Sequence, residues 1–183
     1  MKNLMPKPHK QARFTTRRIT LLAFLVAIAL VVSLIESMLP PLIPLAPGAK
    51  LGLSNIAPLL ALIILGIPDA FTVLIIKCLL GAVISGGVSG LMYSVPSGIV
   101  SLAIEIVLFY FVFDRMSLAG ISLVGAVIFN IVQLIVACFV TGVNLVMLLP
   151  YLVAAGMLAG AFTGLLTYNI VKRLPYSVYG AYR

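Results

Sequence analysis

The sequence predicts an all-α integral membrane protein: a bundle of six transmembrane helices with both termini in the cytoplasm. Composition is the first observation, since 63% of the 183 residues are hydrophobic, only 9% are charged, and mean hydropathy is +1.26. A soluble domain carries about 25% charged residues, so lipid is the main solvent of this chain. The other two observations are the division of the sequence into six apolar runs and the uneven placement of lysine and arginine.

The six apolar runs are separated by glycine, proline and polar residues and give six candidate transmembrane helices, of which the second and third are short. Their predicted boundaries are residues 19–39, 52–66, 69–85, 97–113, 119–141 and 149–171. The first run is followed by no small-residue cleavage site, so we interpret it as a retained helix and not as a signal peptide. A tight turn is predicted at residues 66–69, with Asp69 as a candidate cap of the next helix.

Lysine and arginine set the predicted orientation. Six of the twelve basic residues lie within the first eighteen positions, next to an apolar helix. This placement is typical of a cytoplasmic segment beside anionic lipid, and it explains the net charge of +8 without nucleic acid. We therefore predict a basic cytoplasmic segment over residues 1–18, one membrane domain over 19–173 and a cytoplasmic tail over 174–183. Lys50 is then the only basic residue on the outer face.

Charged and polar side chains at membrane depth are candidates for function, because burying them in lipid is costly. Lys77 and Glu105 fall near the middle of two predicted helices, and either an ion pair or ligand binding explains them. Asn130 and Gln133 lie three residues apart, where they either bond a neighbouring helix or line a site. Glu36 lies one turn from the outer end of the first helix, and snorkelling to the interface is its simplest explanation.

Small residues recur at every fourth position on two of the predicted helices. Residues four apart share a helix face, and small ones let two backbones approach closely. Gly156, Gly160 and Gly164 on the sixth helix predict packing against another helix of the bundle. Ala23 and Ala27 on the first helix face either a neighbour in this chain or a partner protein.

The sequence also argues against several classes of protein. It has no GxxxxGK[ST] phosphate loop, no paired-carboxylate motif of the DDxxD type, and no Cys/His cluster for zinc, haem or iron–sulfur. Cys78 and Cys138 lie within apolar runs, which predicts free thiols. With only four acidic residues in the chain, we expect a protein that is not an enzyme and that carries no catalytic residue, cofactor or metal.

Residues 48–55 read G-A-K-L-G-L-S-N and follow a proline-rich stretch. They resemble the hallmark G-x-K-L-G-L-[AS]-N of the Gx transporter family, which is also described as heptaprenyl diphosphate synthase component I. That family is similar to the substrate-binding components of energy-coupling factor transporters, which are six-helix membrane proteins. It is also related to membrane proteins of flavin-dependent extracellular electron transfer systems.

The resemblance implies a small-molecule site toward the outer face and a contact with a membrane coupling subunit that works with ATPases. Ala23 and Ala27 would form that contact. At the site, Lys50 would supply a charge to an anionic group, Asn55 would orient it, and tyrosines would offer aromatic contact. The residues expected to bind the substrate are Lys50, Asn55, Tyr93, Glu105, Asn130, Gln133 and Tyr151.

Two main hypotheses follow. The first is a binding subunit of an uptake transporter, whose ligand is an amphipathic anion of the flavin, quinone-precursor or isoprenoid type. The alternative is a membrane subunit that does not transport and that anchors or assembles an extracytoplasmic flavoprotein or a soluble prenyl transferase. An enzymatic component of prenyl diphosphate synthesis ranks below both. A plain loop-to-helix cap with a snorkelling Lys50 also explains the motif.

Overall fold

The computed structural model describes residues 16–38, 50–85, 89–112 and 116–174, and all the regular structure within these ranges is helical. One 3-10 turn, Leu53–Asn55, leads into the second α-helix, and another, Val146–Leu148, leads into the last. The α-helices are α1 (Thr16–Met38), α2 (Ile56–Ile64), α3 (Ile67–Ser85), α4 (Ser89–Phe111), α5 (Leu118–Thr141) and α6 (Leu149–Arg173).

Five of these helices, all except α2, are long and apolar enough to cross a membrane. The prediction of a helical membrane protein is therefore confirmed. α2 has nine residues, and at ~1.5 Å per residue it covers about 14 Å, roughly half of a bilayer core. The second predicted span, residues 52–66, thus corresponds to a helix that is too short to cross by itself.

Two contacts place α2 along α1. Near the end of α1, the Glu36 carboxylate accepts hydrogen bonds from the backbone N–H groups of Leu53 (2.8 Å) and Ser54 (3.3 Å). Near the start of α1, Arg18 donates two hydrogen bonds to Asp69 in the first turn of α3. The chain between these contacts therefore runs antiparallel to α1 for roughly 27 Å of its axis. This path supports the six-pass topology, which stays a prediction together with the cytoplasmic location of the termini.

Two boundary predictions are wrong. The boundaries predicted for the third and fourth helices leave residues 86–96 as a loop, but α4 begins at Ser89 and contains Pro96 in its interior. Proline removes one hydrogen bond of a helix, and helices in membranes tolerate this loss where local adjustments satisfy the freed carbonyl. Asp69 does not cap α3 from outside: the turn lies at Gly66 (φ 107°), and Asp69 is already helical. Its carboxylate is turned toward Arg18 instead.

The core of the bundle surrounds α2, where every residue from 56 to 66 is buried. α5 and α6 pack closely through the glycine row of α6. A Cβ atom at Gly160 would lie 2.6 Å from the Cα atom of Leu123, and one at Gly164 would lie 2.5 Å from the Cα atom of Ala119. The predicted role of these glycines in helix packing is confirmed, and both cysteines are free, as expected.

Candidate functional site

Residues 50–55, called the entry segment below, lead into α2 and contact α1, α3 and α5. Gly52 adopts the left-handed conformation (φ 86°), and its carbonyl accepts a hydrogen bond from the N–H of Asn55 at 3.0 Å. A Cβ atom on Gly52 would lie 3.0 Å from Cδ1 of Phe129 on α5. Both the backbone angle and the close approach to α5 therefore favour glycine at this position of the motif.

Side chains from two helices bind the backbone of the entry segment. The Gln133 amide on α5 donates through Nε2 to the Lys50 carbonyl at 3.0 Å and accepts from the Lys50 N–H at 3.2 Å, in the orientation that satisfies both groups. Glu36 on α1 accepts from Leu53 and Ser54, as described above. Glu36 is only 6% exposed, so the prediction that it snorkels to the interface is wrong. It caps the start of the second helical segment from within the bundle.

Two lysine side chains also bond within this region. The Lys50 ammonium, which is half-buried, donates to Oγ of Ser33 at 2.6 Å and lies 3.4 Å from the Ser33 carbonyl. Partial burial lowers the pKa of Lys50, and the nearby Glu36 carboxylate opposes that shift. The Lys77 ammonium on α3 donates to Oδ1 of Asn55 at 2.6 Å and to Oγ of Ser54 at 3.3 Å.

Neither lysine is neutralised by a direct ion pair. In the described ranges, Arg18 and Asp69 form an ion pair within 4 Å, and neither Lys50 nor Lys77 forms one. Residues 39–49, which precede the entry segment, contain no acidic residue. The direct ion pair between Lys77 and Glu105 that the sequence suggested as one alternative is therefore not formed, because Lys77 bonds neutral oxygens instead.

Glu105 lies on α4, against Gly125 of α5, and is 4% exposed. A Cβ atom at Gly125 would overlap its carboxylate. One turn before it, Oγ of Ser101 donates to the Gly125 carbonyl at 2.8 Å. Because Gly125 has no side chain, the Glu105 carboxylate fits between α4 and α5. This position is nearer the start of α5 than the contact between Gln133 and Lys50.

The remaining predicted residues lie elsewhere. Asn130 is buried against α6, where its Nδ2 donates to the Leu152 carbonyl at 3.2 Å, and its Oδ1 is a buried acceptor without a partner in the described residues. Tyr93 is buried in an apolar cluster with Leu134 and Leu152. Tyr151 is 58% exposed on α6. The structure thus brings Gln133 onto the backbone of Lys50, and Asn55 onto the ammonium of Lys77.

A comparison with protein-family models identifies the family of this chain. The model described as heptaprenyl diphosphate synthase component I matches residues 25–170, which include the whole entry segment. The chain belongs to this family. The resemblance inferred from residues 48–55 is therefore confirmed at the level of the family. Searches of curated proteins and of solved structures gave no match.

In this member of the heptaprenyl diphosphate synthase component I family, sequence reasoning missed Ser33, Ser54 and the buried position of Glu36. Ser54 stood inside the motif without an assigned role. Ser33 lies four residues after Ala29 on α1, a spacing that is typical of helix packing and gives no sign of a hydrogen bond. Lys77 was singled out for its depth, but its contact with Asn55 joins residues 22 positions apart, and no local pattern reveals such a contact.

Proposed function

We propose that the protein is a membrane-embedded binding subunit that takes a small, amphipathic anion at the entry segment, without catalysis of its own. The observation that carries the proposal is the Lys50 ammonium. It is half-buried, it bonds only Ser33, and it has no acidic partner within 4 Å in the described part of the chain. A charge in an environment of low dielectric constant is costly unless an opposite charge compensates it.

An anionic group on a ligand supplies that compensation. Ser33 takes at most two of the three N–H donors of the ammonium, so at least one remains for a carboxylate or phosphate oxygen. The Asn55 amide lies close by and can orient the same group. Most of the surrounding residues of α2 are apolar and buried, which suits a ligand with one charged end and a hydrophobic body.

Uptake across the membrane is the second half of the proposal. Ala23 and Ala27 are exposed on α1, on a different face from the buried Ala29 and Ser33. Small exposed residues on a transmembrane helix allow close approach of a partner helix. We assign this face to an energy-coupling membrane subunit, which would act together with ATPases.

A second candidate function has an observation of its own. The family description names one component of a synthase, which implies a partner. In this alternative, the protein anchors a soluble prenyl transferase, or an extracytoplasmic flavoprotein, and transports nothing.

Thermal unfolding of the purified protein in lipid nanodiscs tests ligand binding. The panel is flavin mononucleotide, riboflavin, 1,4-dihydroxy-2-naphthoate and geranyl diphosphate. We expect at least one of the anions to raise the melting temperature of the wild type, and Lys50→Ala to reduce that rise. Lys172→Ala, at the exposed end of α6, is the matched control and should leave it unchanged. The proposal is contradicted if no compound raises the melting temperature of the wild type. It is also contradicted if Lys50→Ala and Lys172→Ala reduce that rise equally.

Co-purification distinguishes transport from assembly. A transporter subunit should bring down an ATPase and membrane coupling subunit pair, and the double variant Ala23→Leu, Ala27→Leu should lose it. Recovery of a prenyl transferase or a flavoprotein in place of that pair favours the second function. If the double variant retains the coupling subunit, the assignment of this α1 face is wrong.

A further inference from the structure

We infer that Lys77 is a second ligand-binding cation, so that the site takes a group with two or more negative charges, such as a phosphate monoester or a diphosphate, in preference to a monocarboxylate. This inference rests on the proposed function, because it names the class of anion held at the same site. It concerns a residue that lies one layer deeper than Lys50 and is only 6% exposed.

The two lysines are stacked along the seam between α1 and α3. Lys50 bonds Oγ of Ser33, and this oxygen lies 3.7 Å from the position of a Cβ atom on Gly81. Gly81 and Lys77 are four residues apart and so share one face of α3. The backbone of Lys77 therefore lies about one helical turn, ~5.4 Å, deeper along α3 than the level at which Lys50 bonds.

The charges around the stacked lysines do not balance by direct contact. Lys77 bonds two neutral oxygens, and the carboxylate of Glu36 is already bonded to two backbone N–H groups. Asp69 pairs with Arg18 at the other end of α3. Glu105 forms no ion pair with Lys77 within 4 Å in the described residues. Neither ammonium group therefore contacts a carboxylate directly, and a ligand group with two or more negative charges supplies a direct partner for both.

Asn55 accepts the shorter of the two hydrogen bonds from the Lys77 ammonium. Its side chain is only partly buried, and it sits in the single 3-10 turn that follows Gly52. When this side chain rotates, its Oδ1 leaves the Lys77 ammonium. An oxygen atom of the ligand then accepts the hydrogen bond in its place. In the bound state, Lys50 then contacts the outer oxygens of the anion, and Lys77 contacts the inner ones.

Binding measured for ligands with the same body and different head charge tests the inference. The pairs are flavin mononucleotide against riboflavin 4′,5′-cyclic phosphate, geranyl diphosphate against geranate, and 1-naphthyl phosphate against 1-naphthoate. Titrations in nanodiscs at mildly alkaline pH keep the phosphate monoesters dianionic. For any pair that binds, we expect the wild type to prefer the more highly charged member by about tenfold or more, which corresponds to roughly 1.4 kcal/mol.

Lys77→Gln should reduce that preference to about twofold or less and leave the affinity for the monoanion nearly unchanged, because Gln still donates to Asn55. Asn55→Asp is an independent second variant, since it gives Lys77 an internal carboxylate, and it should weaken binding of the phosphates more than binding of the monoanions. Lys172→Gln, at the exposed end of α6, is the matched control and should retain the preference. Asn55→Asp keeps the test decisive even if Lys77→Gln does not fold.

Three results overturn the inference and leave the proposed function standing. They are equal affinity of the wild type for both members of a pair, an equal loss of both in Lys77→Gln, and a preference that Asn55→Asp leaves unchanged. A different result contradicts the proposed function itself: no member of any pair binds the wild-type protein.

Discussion

The side-chain amide of Gln133 pairs with both backbone groups of Lys50, donating to its carbonyl at 3.0 Å and accepting from its N–H at 3.2 Å. This amide makes the same two contacts that a neighbouring β-strand would make. It fixes the backbone of the residue that carries the proposed ligand charge to the middle of α5. Lys50 is therefore positioned by a helix remote in sequence. Its ammonium keeps at least one N–H donor for the proposed ligand, beyond the bonds to Ser33.

Gln133→Leu should destabilise the protein by about 1–3 kcal/mol, because a buried carbonyl and N–H lose their partners. The measurement is the free energy of unfolding in mixed micelles. Asn169→Ala, which removes an exposed amide on α6, is the control and should change stability little. If Gln133→Leu is as stable as the control, the paired contact with Lys50 is not formed.

Glu36→Ala should destabilise more than Glu36→Gln. The carboxylate accepts from two N–H groups, and glutamine keeps one acceptor oxygen whereas alanine keeps none. Melting temperatures of the two variants test this order. Equal values for both variants would show that the charge of Glu36, and not its cap of the entry segment, is what matters.

Gly160→Ala should separate α5 from α6 and lower the melting temperature. Its Cβ atom would meet backbone atoms of Leu123 and Ser122 at 2.6 and 2.9 Å, and backbone cannot move aside cheaply. Gly120→Ala is the matched control, because its closest neighbour is the flexible end of Met116 at 3.2 Å. The control should be neutral or stabilising, since alanine favours helix. The opposite order would contradict the packing described.

Arg18 and Asp69 should show coupled effects on stability. Arg18 donates from Nε and from one terminal nitrogen to the two carboxylate oxygens at 2.9 and 2.8 Å. A double-mutant cycle with Arg18→Gln and Asp69→Asn should give a coupling energy of roughly 0.5–3 kcal/mol. Strictly additive effects would mean that the pair does not hold α1 to α3.

Cysteine labelling tests the predicted orientation. Ser117 and Asn144 are exposed at opposite ends of α5. In a background without Cys78 and Cys138, a membrane-impermeant maleimide should label Asn144→Cys in intact cells and Ser117→Cys only after permeabilisation. The reverse pattern would place Lys50 on the cytoplasmic side and would contradict the outer position of the site.

The sequence predicted the long helices well because each depends on a continuous apolar run, which the bilayer requires irrespective of other contacts. It failed at Ser89 and Pro96, where local rules favour a loop and the surrounding bundle stabilises a helix. For the site, the motif identified Lys50 and Asn55, because glycine and lysine stand out against an apolar background. The partners Ser33 and Glu36 were not predictable, since their contacts depend on how α1 approaches residues 17 or 18 positions away.

The complete burial of α2 has a consequence for how the protein is made. α2 contacts α1, α3, α4 and α6, and four of the six helices, α3 to α6, are synthesised after it. A nine-residue helix cannot partition into lipid by itself, so during synthesis it must be held by α1 and by α3, to which only a two-residue turn joins it. The packing around α2 is complete only after α6 has been inserted. Release of the chain from the insertion machinery before α6 is complete should therefore leave an intermediate that is open to proteolysis at α2.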